Sequence, residues 1–166
     1  MKYALIALLI FLSACHANTD YLIRTEDSVS GKAGYVNVKG DTIIPPGKYS
    51  YCYTDTFKNF AIVSKENTGI IGINRKEEVL YNVFIYDNGP DYLAEGYFRI
   101  LKNNKMGYAD SNGNIVIKPI YGCALPFEKG IAKAGMDCKI VRDGDEHWHW
   151  ESNEWFYINK AGQRVK

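Results

Sequence analysis

The sequence predicts an all-β protein, built as a tandem array of three-stranded antiparallel units. Such an array either stays open, as a curved sheet or solenoid, or closes like a propeller. The first observation behind this prediction is that the string at residues 34–46 recurs, in altered form, at residues 107–119. The second is that each copy has a tight turn rich in Asn, Asp and Gly between two short apolar runs, which is the pattern of a β-hairpin. At 166 residues and 46% hydrophobic composition, the chain is long enough for one folded domain.

The two strings match at a single fixed offset. Five identities align: Gly34 with Gly107, Tyr35 with Tyr108, Gly40 with Gly113, Ile44 with Ile117, and Pro46 with Pro119. Average residue usage would give about one identity or none at a random offset. The second glycine supplies the positive φ of a tight hairpin turn, and the proline ends the return strand because it cannot donate to a sheet ladder.

A third apolar run follows each hairpin, so that a unit has three short strands. These runs begin at Phe60 in the first unit and at Gly130 in the third. A middle copy starts at Ile71-Gly72-Ile73, where Glu77 takes the place of the turn glycine in a turn that is one residue shorter, and its third strand begins at Gly96. The predicted units lie near residues 32–66, 67–103, 104–135 and 153–166, with an insertion at residues 136–152.

This pattern of a glycine, an aromatic residue, a turn glycine, β-branched residues and a proline resembles the bacterial WG-repeat family over most of residues 32–166. The copies depart from the family at the tryptophan before the glycine, since Ala33, Ile71 and Met106 stand there and only the last unit has an aromatic pair, Trp155-Phe156. The resemblance implies a β-repeat fold more than an activity. Because one unit cannot bury its apolar face alone, we expect neighbouring units to cover each other.

The N-terminus predicts export. Lys2 precedes an apolar run at residues 4–12, which is typical of a secretion signal and too short for a spanning helix of about 20 residues. Leu12-Ser13-Ala14-Cys15 resembles the bacterial lipobox, which implies that residues 1–14 are a lipoprotein signal peptide and that Cys15 carries a lipid anchor. The alternative is an ordinary signal cleaved after Ala17.

Under the lipoprotein reading, residues 15–31 form an anchor and an N-terminal linker. His16, rather than Asp, follows the cysteine, and in the usual Gram-negative sorting pattern this favours the outer membrane, with the domain facing the periplasm or the cell surface. The lipid bilayer is then one partner, reached through Cys15.

The remaining cysteines agree with an oxidising compartment. Cys123 and Cys138 flank one candidate turn, and we expect them to form a disulfide. Cys52 alternates with tyrosines, which favours a buried thiol over a reactive one. The alternative is that all three thiols are free and buried.

Composition and motifs point away from nucleic acid and from catalysis. The chain has 20 basic and 19 acidic residues, and removal of Lys2 with the signal peptide makes the numbers equal. A neutral chain lacks the electrostatic footprint of a nucleic-acid-binding protein. No metalloprotease, nucleophile-elbow, phosphate-loop or dinucleotide-binding motif occurs in the sequence. We therefore expect a protein that is not an enzyme and has no cofactor.

The segment "EHWHWE" holds the remaining candidate sites. On a strand, His147, His149 and Glu151 share one face, where they are weak candidates for a metal site. The alternative is a polar outer face above buried tryptophans. Four aromatic residues are candidates for contact with a partner protein or a glycan: Trp148, Trp150, Trp155 and Tyr157.

The sequence thus predicts a noncatalytic, lipid-anchored envelope protein whose repeat array binds another envelope or secreted protein. The alternative is a metal- or glycan-binding periplasmic module that uses residues 147–157.

Overall fold

The predicted all-β class is confirmed. A computed structural model describes residues 20–144 and 147–165, and these residues form strands and turns without a helix. The predicted signal peptide and Cys15 lie outside the described residues. The strands are β1 (Leu22–Glu26), β2 (Ala33–Val36), β3 (Thr42–Ile44), β4 (Tyr51–Cys52), β5 (Thr56–Phe57), β6 (Phe60–Lys65), β7 (Gly69–Asn74), β8 (Val79–Val83), β9 (Ile85–Tyr86), β10 (Gly89–Pro90), β11 (Tyr97–Lys102), β12 (Lys105–Asp110), β13 (Ile115–Tyr121), β14 (Cys123–Ala124), β15 (Ile131–Gly135), β16 (Lys139–Asp143), β17 (His147–Glu151), β18 (Trp155–Asn159) and β19 (Arg164–Val165).

The repeat appears as four antiparallel meanders of three strands each. They are β1-β2-β3, β6-β7-β8, β11-β12-β13 and β15-β18-β19. The first strand of each of the last three meanders is the strand that the sequence assigns to the preceding repeat unit as its third. Main-chain hydrogen bonds therefore join neighbouring units, in addition to packing. The second and third meanders share one open sheet, ordered β13-β12-β11-β8-β7-β6-β4.

The sequence predicts an anchor and a linker at residues 15–31, but part of this segment is a strand. Leu22–Glu26 forms β1, which pairs with β2 in the register Ile23↔Val36 to Glu26↔Ala33. Leu22 is buried in the first core cluster. The strand thus covers the first hairpin in the way that the third strand of a preceding unit covers each later hairpin.

In each of the four meanders, the hairpin formed by the second and third strands has the same side-chain-stabilised turn. The Oδ1 atom of an Asn or Asp accepts hydrogen bonds of 2.9–3.0 Å from the backbone N–H groups two and four residues later. The residue three positions after it has positive φ, which glycine adopts with least strain. The turn pairs are Asn37 with Gly40, Asn74 with Glu77, Asp110 with Gly113, and Asn159 with Gly162.

The predicted alignment of the middle copy was wrong by one residue. Its turn is not shorter, because Asn74 bonds the same two later positions as Asp110 does. In the strand register Gly72 pairs with Tyr81, where Tyr108 pairs with Ile117 in the third copy. The aromatic ring of this pair has moved to the opposite strand. A Cβ on Gly72 would lie 2.8 Å from the Tyr81 ring, so the exchange conserves volume in the core.

Tyrosine hydroxyl groups hold the second, third and fourth of these hairpin turns against the unit before each. Tyr49 donates to the Glu77 carboxylate at 2.8 Å. Tyr81 donates to the Gly113 carbonyl oxygen at 2.8 Å, and Tyr121 donates to that of Gly162 at 3.2 Å. The core correspondingly divides into three clusters along the array.

Candidate functional site

The insertion forms a β-hairpin of its own, made of β16 and β17. Ile140 pairs with Trp150, and Arg142 pairs with Trp148, so each of these pairs lies on one face of the ribbon. The hairpin lies between β15 and β18, where the corresponding connections β6 to β7 and β11 to β12 are turns of two or three residues and β1 to β2 is a turn of six. It is an addition to the repeat rather than part of it.

Covalent and polar contacts fix the base of this hairpin. Cys123 and Cys138 form a disulfide with Cα atoms 5.7 Å apart, the pairing that the sequence predicts. The Asp137 carboxylate accepts hydrogen bonds from the Ser152 hydroxyl at 2.6 Å and from the Asn153 amide at 2.7 Å. These bonds hold the pKa of Asp137 below its ordinary value. The two ends of the insertion are thereby tied together beside β14.

An aromatic groove lies between the hairpin and the array. Its volume is about 370 Å³. Trp150 packs between Phe84 and Trp148, with ring centroids 5.5 Å and 5.2 Å apart. Trp148 is 49% exposed. We use the name aromatic groove for the space lined by Phe84, Tyr86, Arg99, Leu125, Lys133, Trp148, His149, Trp150 and Trp155.

Arg99 and Lys133 both line the aromatic groove, but they differ in whether an acidic side chain pairs with them. Arg99 is buried, and its Nε and Nη2 atoms donate to the Asp91 carboxylate at 2.9 Å and 2.5 Å. Its guanidinium lies 4.2 Å from the centre of the Phe84 ring. The Lys133 ammonium lies 4.6 Å from the Trp155 ring centre, and no ion pair of Lys133 occurs among the described residues.

The structure brings the four predicted partner-contact aromatics onto one continuous surface. Trp148, Trp150 and Trp155 line the aromatic groove itself. Tyr157 lies in an adjoining depression of about 320 Å³, which shares Leu125 and Lys133 with the groove. Sequence reasoning did not find the remaining lining residues, Phe84, Tyr86, Arg99, Leu125 and Lys133.

The predicted metal-ligand set is described only in part. His149 Nε2 lies 3.5 Å from Glu151 Oε1, and both side chains are exposed. For His147 the structure describes only its position as the first residue of β17. A search of the described part of the chain finds no group of three or more His, Cys, Asp or Glu side chains that could hold a metal ion. The metal site stays a prediction.

Cys52 is a buried free thiol in the first core cluster, near the N-terminal end of the array. Burial raises the pKa of its thiol, with smaller opposing contributions from a Tyr35 hydrogen bond and the Arg24 charge. The thiolate, which is the reactive form of this thiol, is therefore disfavoured. Cys52 also lies in a different core cluster from the one against which Trp150 of the insertion hairpin packs.

Residues 34–68 and 106–137 match the family model for the WG containing repeat. The chain contains WG repeats. The two matched segments correspond to the first and third units, and each runs from the first strand of a hairpin to the end of the third strand. The middle unit of this WG-repeat protein has the same strand order and the same turn.

No curated protein and no solved structure matches this WG-repeat protein significantly. Within residues 20–144 and 147–165, no helix has the length and apolar character needed to cross a membrane. The match to the WG containing repeat explains the fold of the array. It assigns no role to the aromatic groove.

Proposed function

We propose that this WG-repeat protein is a noncatalytic lipoprotein of the bacterial cell envelope, anchored through Cys15, and that it binds another envelope or secreted protein at the aromatic groove. The observation that carries the proposal is the position of Trp148, which is 49% exposed at the mouth of the groove. Its hairpin is an insertion that the repeat does not need for its own strand pairing.

Protein interfaces gain much of their affinity from a few large aromatic side chains that become fully buried on binding. Trp148 and the half-buried Trp150 and Trp155 lie side by side and keep surface available for such burial. Tryptophan supplies a large apolar area with one polar N–H, which suits a surface that alternates between water and a partner. The groove and the adjoining depression together favour an elongated protein segment over a compact small molecule.

Affinity capture from native envelopes tests the binding part of this proposal. The full-length protein and its Trp148→Ala variant are used as baits, and Tyr51→Ala is the matched control, because Tyr51 is 47% exposed but lies in β4 at the far end of the array. We expect one dominant protein that the wild type and Tyr51→Ala retain and Trp148→Ala loses.

Binding is then measured with the purified partner, identified by mass spectrometry. Truncation of one central tryptophan is expected to weaken the Kd by at least about 30-fold, which corresponds to about 2 kcal/mol. A partner that binds Trp148→Ala as tightly as wild type would place the interface elsewhere, and the absence of any partner would remove the proposal.

The anchor has its own test. A Cys15→Ala variant cannot be lipidated at that position, so we expect it to move from the membrane fraction to the soluble fraction of the envelope. Membrane association that is unchanged by this substitution would reject the lipid anchor without affecting the groove.

The alternative function is a metal- or glycan-binding module that uses residues 147–157. Its support is the neighbouring pair of His149 and Glu151 on the exposed face of the hairpin. Stoichiometric zinc in the purified protein that is lost in His149→Ala would favour this alternative, as would binding of envelope glycans that is lost in Trp148→Ala. Protein capture unaffected by His149→Ala would favour the interaction surface.

A further inference from the structure

Lys133 has no ion-pair partner among the described residues, and it lies on a surface rich in aromatic side chains. It lies in β15 opposite Tyr157 and is half-buried, with its ammonium group over the Trp155 ring. None of the described residues that line the aromatic groove is acidic. Desolvating an unpaired ammonium group is costly unless an anion joins it. Any occupant that covers Lys133 must therefore compensate this charge.

The second cation of the groove does not need an anion from outside. Both oxygens of the Asp91 carboxylate accept hydrogen bonds from the Arg99 guanidinium, and one of them also accepts from the Arg99 backbone N–H at 2.7 Å. The side chains of this pair are only 2% and 4% exposed. The Arg99–Asp91 pair is thus neutral as a whole, and its guanidinium group packs against the Phe84 ring. The net charge that the groove presents therefore comes from Lys133.

Lys133 lies at the junction of two hollows. On one side is the aromatic groove, and on the other is the depression, whose lining combines the apolar side chains of Pro126, Ile131 and Tyr157 with the charged side chains of Glu128 and Lys129. Glu128 and Lys129 are both exposed, with their charged atoms 3.7 Å apart, so together they add no net charge to the depression. Lys133 therefore lies between the aromatic groove and the apolar side chains of the depression.

We propose that the occupant is an extended segment of the partner protein in which an acidic residue lies between two apolar residues. Its carboxylate pairs with Lys133, one apolar side chain enters the aromatic groove, and the other enters the Tyr157 depression. In an extended strand, side chains at alternate positions project from the same face. The pattern is therefore apolar-x-acidic-x-apolar. This inference rests on the proposed function and specifies the chemistry of the partner.

Two peptides test the pattern on the folded protein. The probes are acetyl-Phe-Ser-Glu-Ser-Leu-amide and the same peptide with Gln in place of Glu, which keeps shape and removes charge. The indole N–H signals of the three tryptophans are followed by NMR during titration. Because a half-exposed ion pair contributes up to about 1 kcal/mol, we expect the Glu peptide to bind about fivefold more tightly. The preference should decrease as salt concentration rises.

Substitution of the lysine shows whether it is the source of the preference. In Lys133→Met, which keeps the length of the side chain and its contact with Trp155, the two peptides should bind equally. The matched control is Lys118→Met, because Lys118 is an exposed lysine on β13 that lines neither hollow. This variant should keep the fivefold preference.

The outcomes separate this inference from the proposed function. Equal binding of both peptides by the wild type, or an unchanged preference in Lys133→Met, would overturn the carboxylate pairing. Neither result would affect capture of a partner that depends on Trp148. Indole signals that respond to neither peptide at millimolar concentration, but do respond to an oligosaccharide containing uronic acids, would overturn both the peptide pattern and the protein occupant.

Discussion

Two equivalent turn glycines differ in what surrounds them, and this difference measures how much the packing between units contributes to stability. Gly40 and Gly113 occupy the same position in the first and third hairpins, with φ values of +89° and +84°. A Cβ at Gly40 would meet nothing within 4 Å, whereas a Cβ at Gly113 would lie 2.2 Å from ring carbons of Phe60 and 2.8 Å from its Cβ. Phe60 is the first residue of β6, in the preceding meander β6-β7-β8.

The expected free energies follow from these contacts. Alanine in the left-handed region costs about 1–2 kcal/mol at either site. Gly113→Ala also forces overpacking against the Phe60 ring, two of whose carbons would lie 2.2 Å from the new Cβ, which adds about 1–3 kcal/mol. The shift further disturbs the bond from the Tyr81 hydroxyl to the Gly113 carbonyl oxygen. Gly113→Ala should therefore lower the free energy of unfolding by about 1–3 kcal/mol more than Gly40→Ala.

Urea unfolding of the two variants measures this difference directly. A Phe60→Ala background completes the design, because it removes the ring carbons at 2.2 Å and keeps the 2.8 Å contact to the Phe60 Cβ. In that background the penalty of Gly113→Ala should fall towards that of Gly40→Ala. Equal penalties for the two glycines in the wild-type background, or no relief on removing the Phe60 ring, would refute the argument that the turn packs against the preceding unit.

Three further outcomes follow from buried groups. Asp91→Ala leaves the Arg99 guanidinium buried without a counter-charge and should cost about 3–5 kcal/mol of unfolding free energy, whereas a double variant with apolar residues at both sites should recover most of it. Because burial raises the pKa of the Cys52 thiol, Ellman's reagent at pH 8 should label it far more slowly in the native protein than in urea; equal rates would contradict its burial. Removing the 15-residue cross-link between Cys123 and Cys138 by double substitution to alanine should cost about 3 kcal/mol, whereas an unchanged unfolding midpoint would show that the cross-link contributes nothing.

The array was predictable because its chemistry is local and repeated. A positive-φ glycine marks the turn of the first, third and fourth hairpins, and prolines follow the end of β3. The prediction that a proline also ends the return strand of the third hairpin was wrong, because β13 continues past Pro119 to Tyr121 across a register shift. The register of the middle copy was missed because the turn position there is held by Glu77 with φ of +61°. The bond from Tyr49 to its carboxylate accompanies this conformation, and Tyr49 lies 28 residues away along the chain. The strand β1 was missed because no hairpin precedes it in the sequence, so that the alignment of the copies did not extend to residues 22–26.

The sequence predicted only the tryptophans and Tyr157 among the aromatic residues of the site. The tryptophans stand out by residue type, and their spacing indicated which of them share a face. Phe84, Arg99 and Lys133 carry no such signal, because each is an ordinary residue of a β strand or of the segment joining two strands. Only the fold brings them together, by directing the insertion back over the array so that Trp150 contacts Phe84.

The insertion is placed where it leaves the array intact. The β15–β18 ladder runs from Ile131↔Asn159 to Gly135↔Trp155 on the two sides of it, and the disulfide closes its base. Trp155 is at once the first residue of β18 and a wall of the groove. Under the proposed function, an occupant of the groove contacts the hairpin and the array together, so its binding stabilises their docked arrangement. Opening the disulfide should therefore weaken partner binding more than it weakens the strand pairing of the repeats.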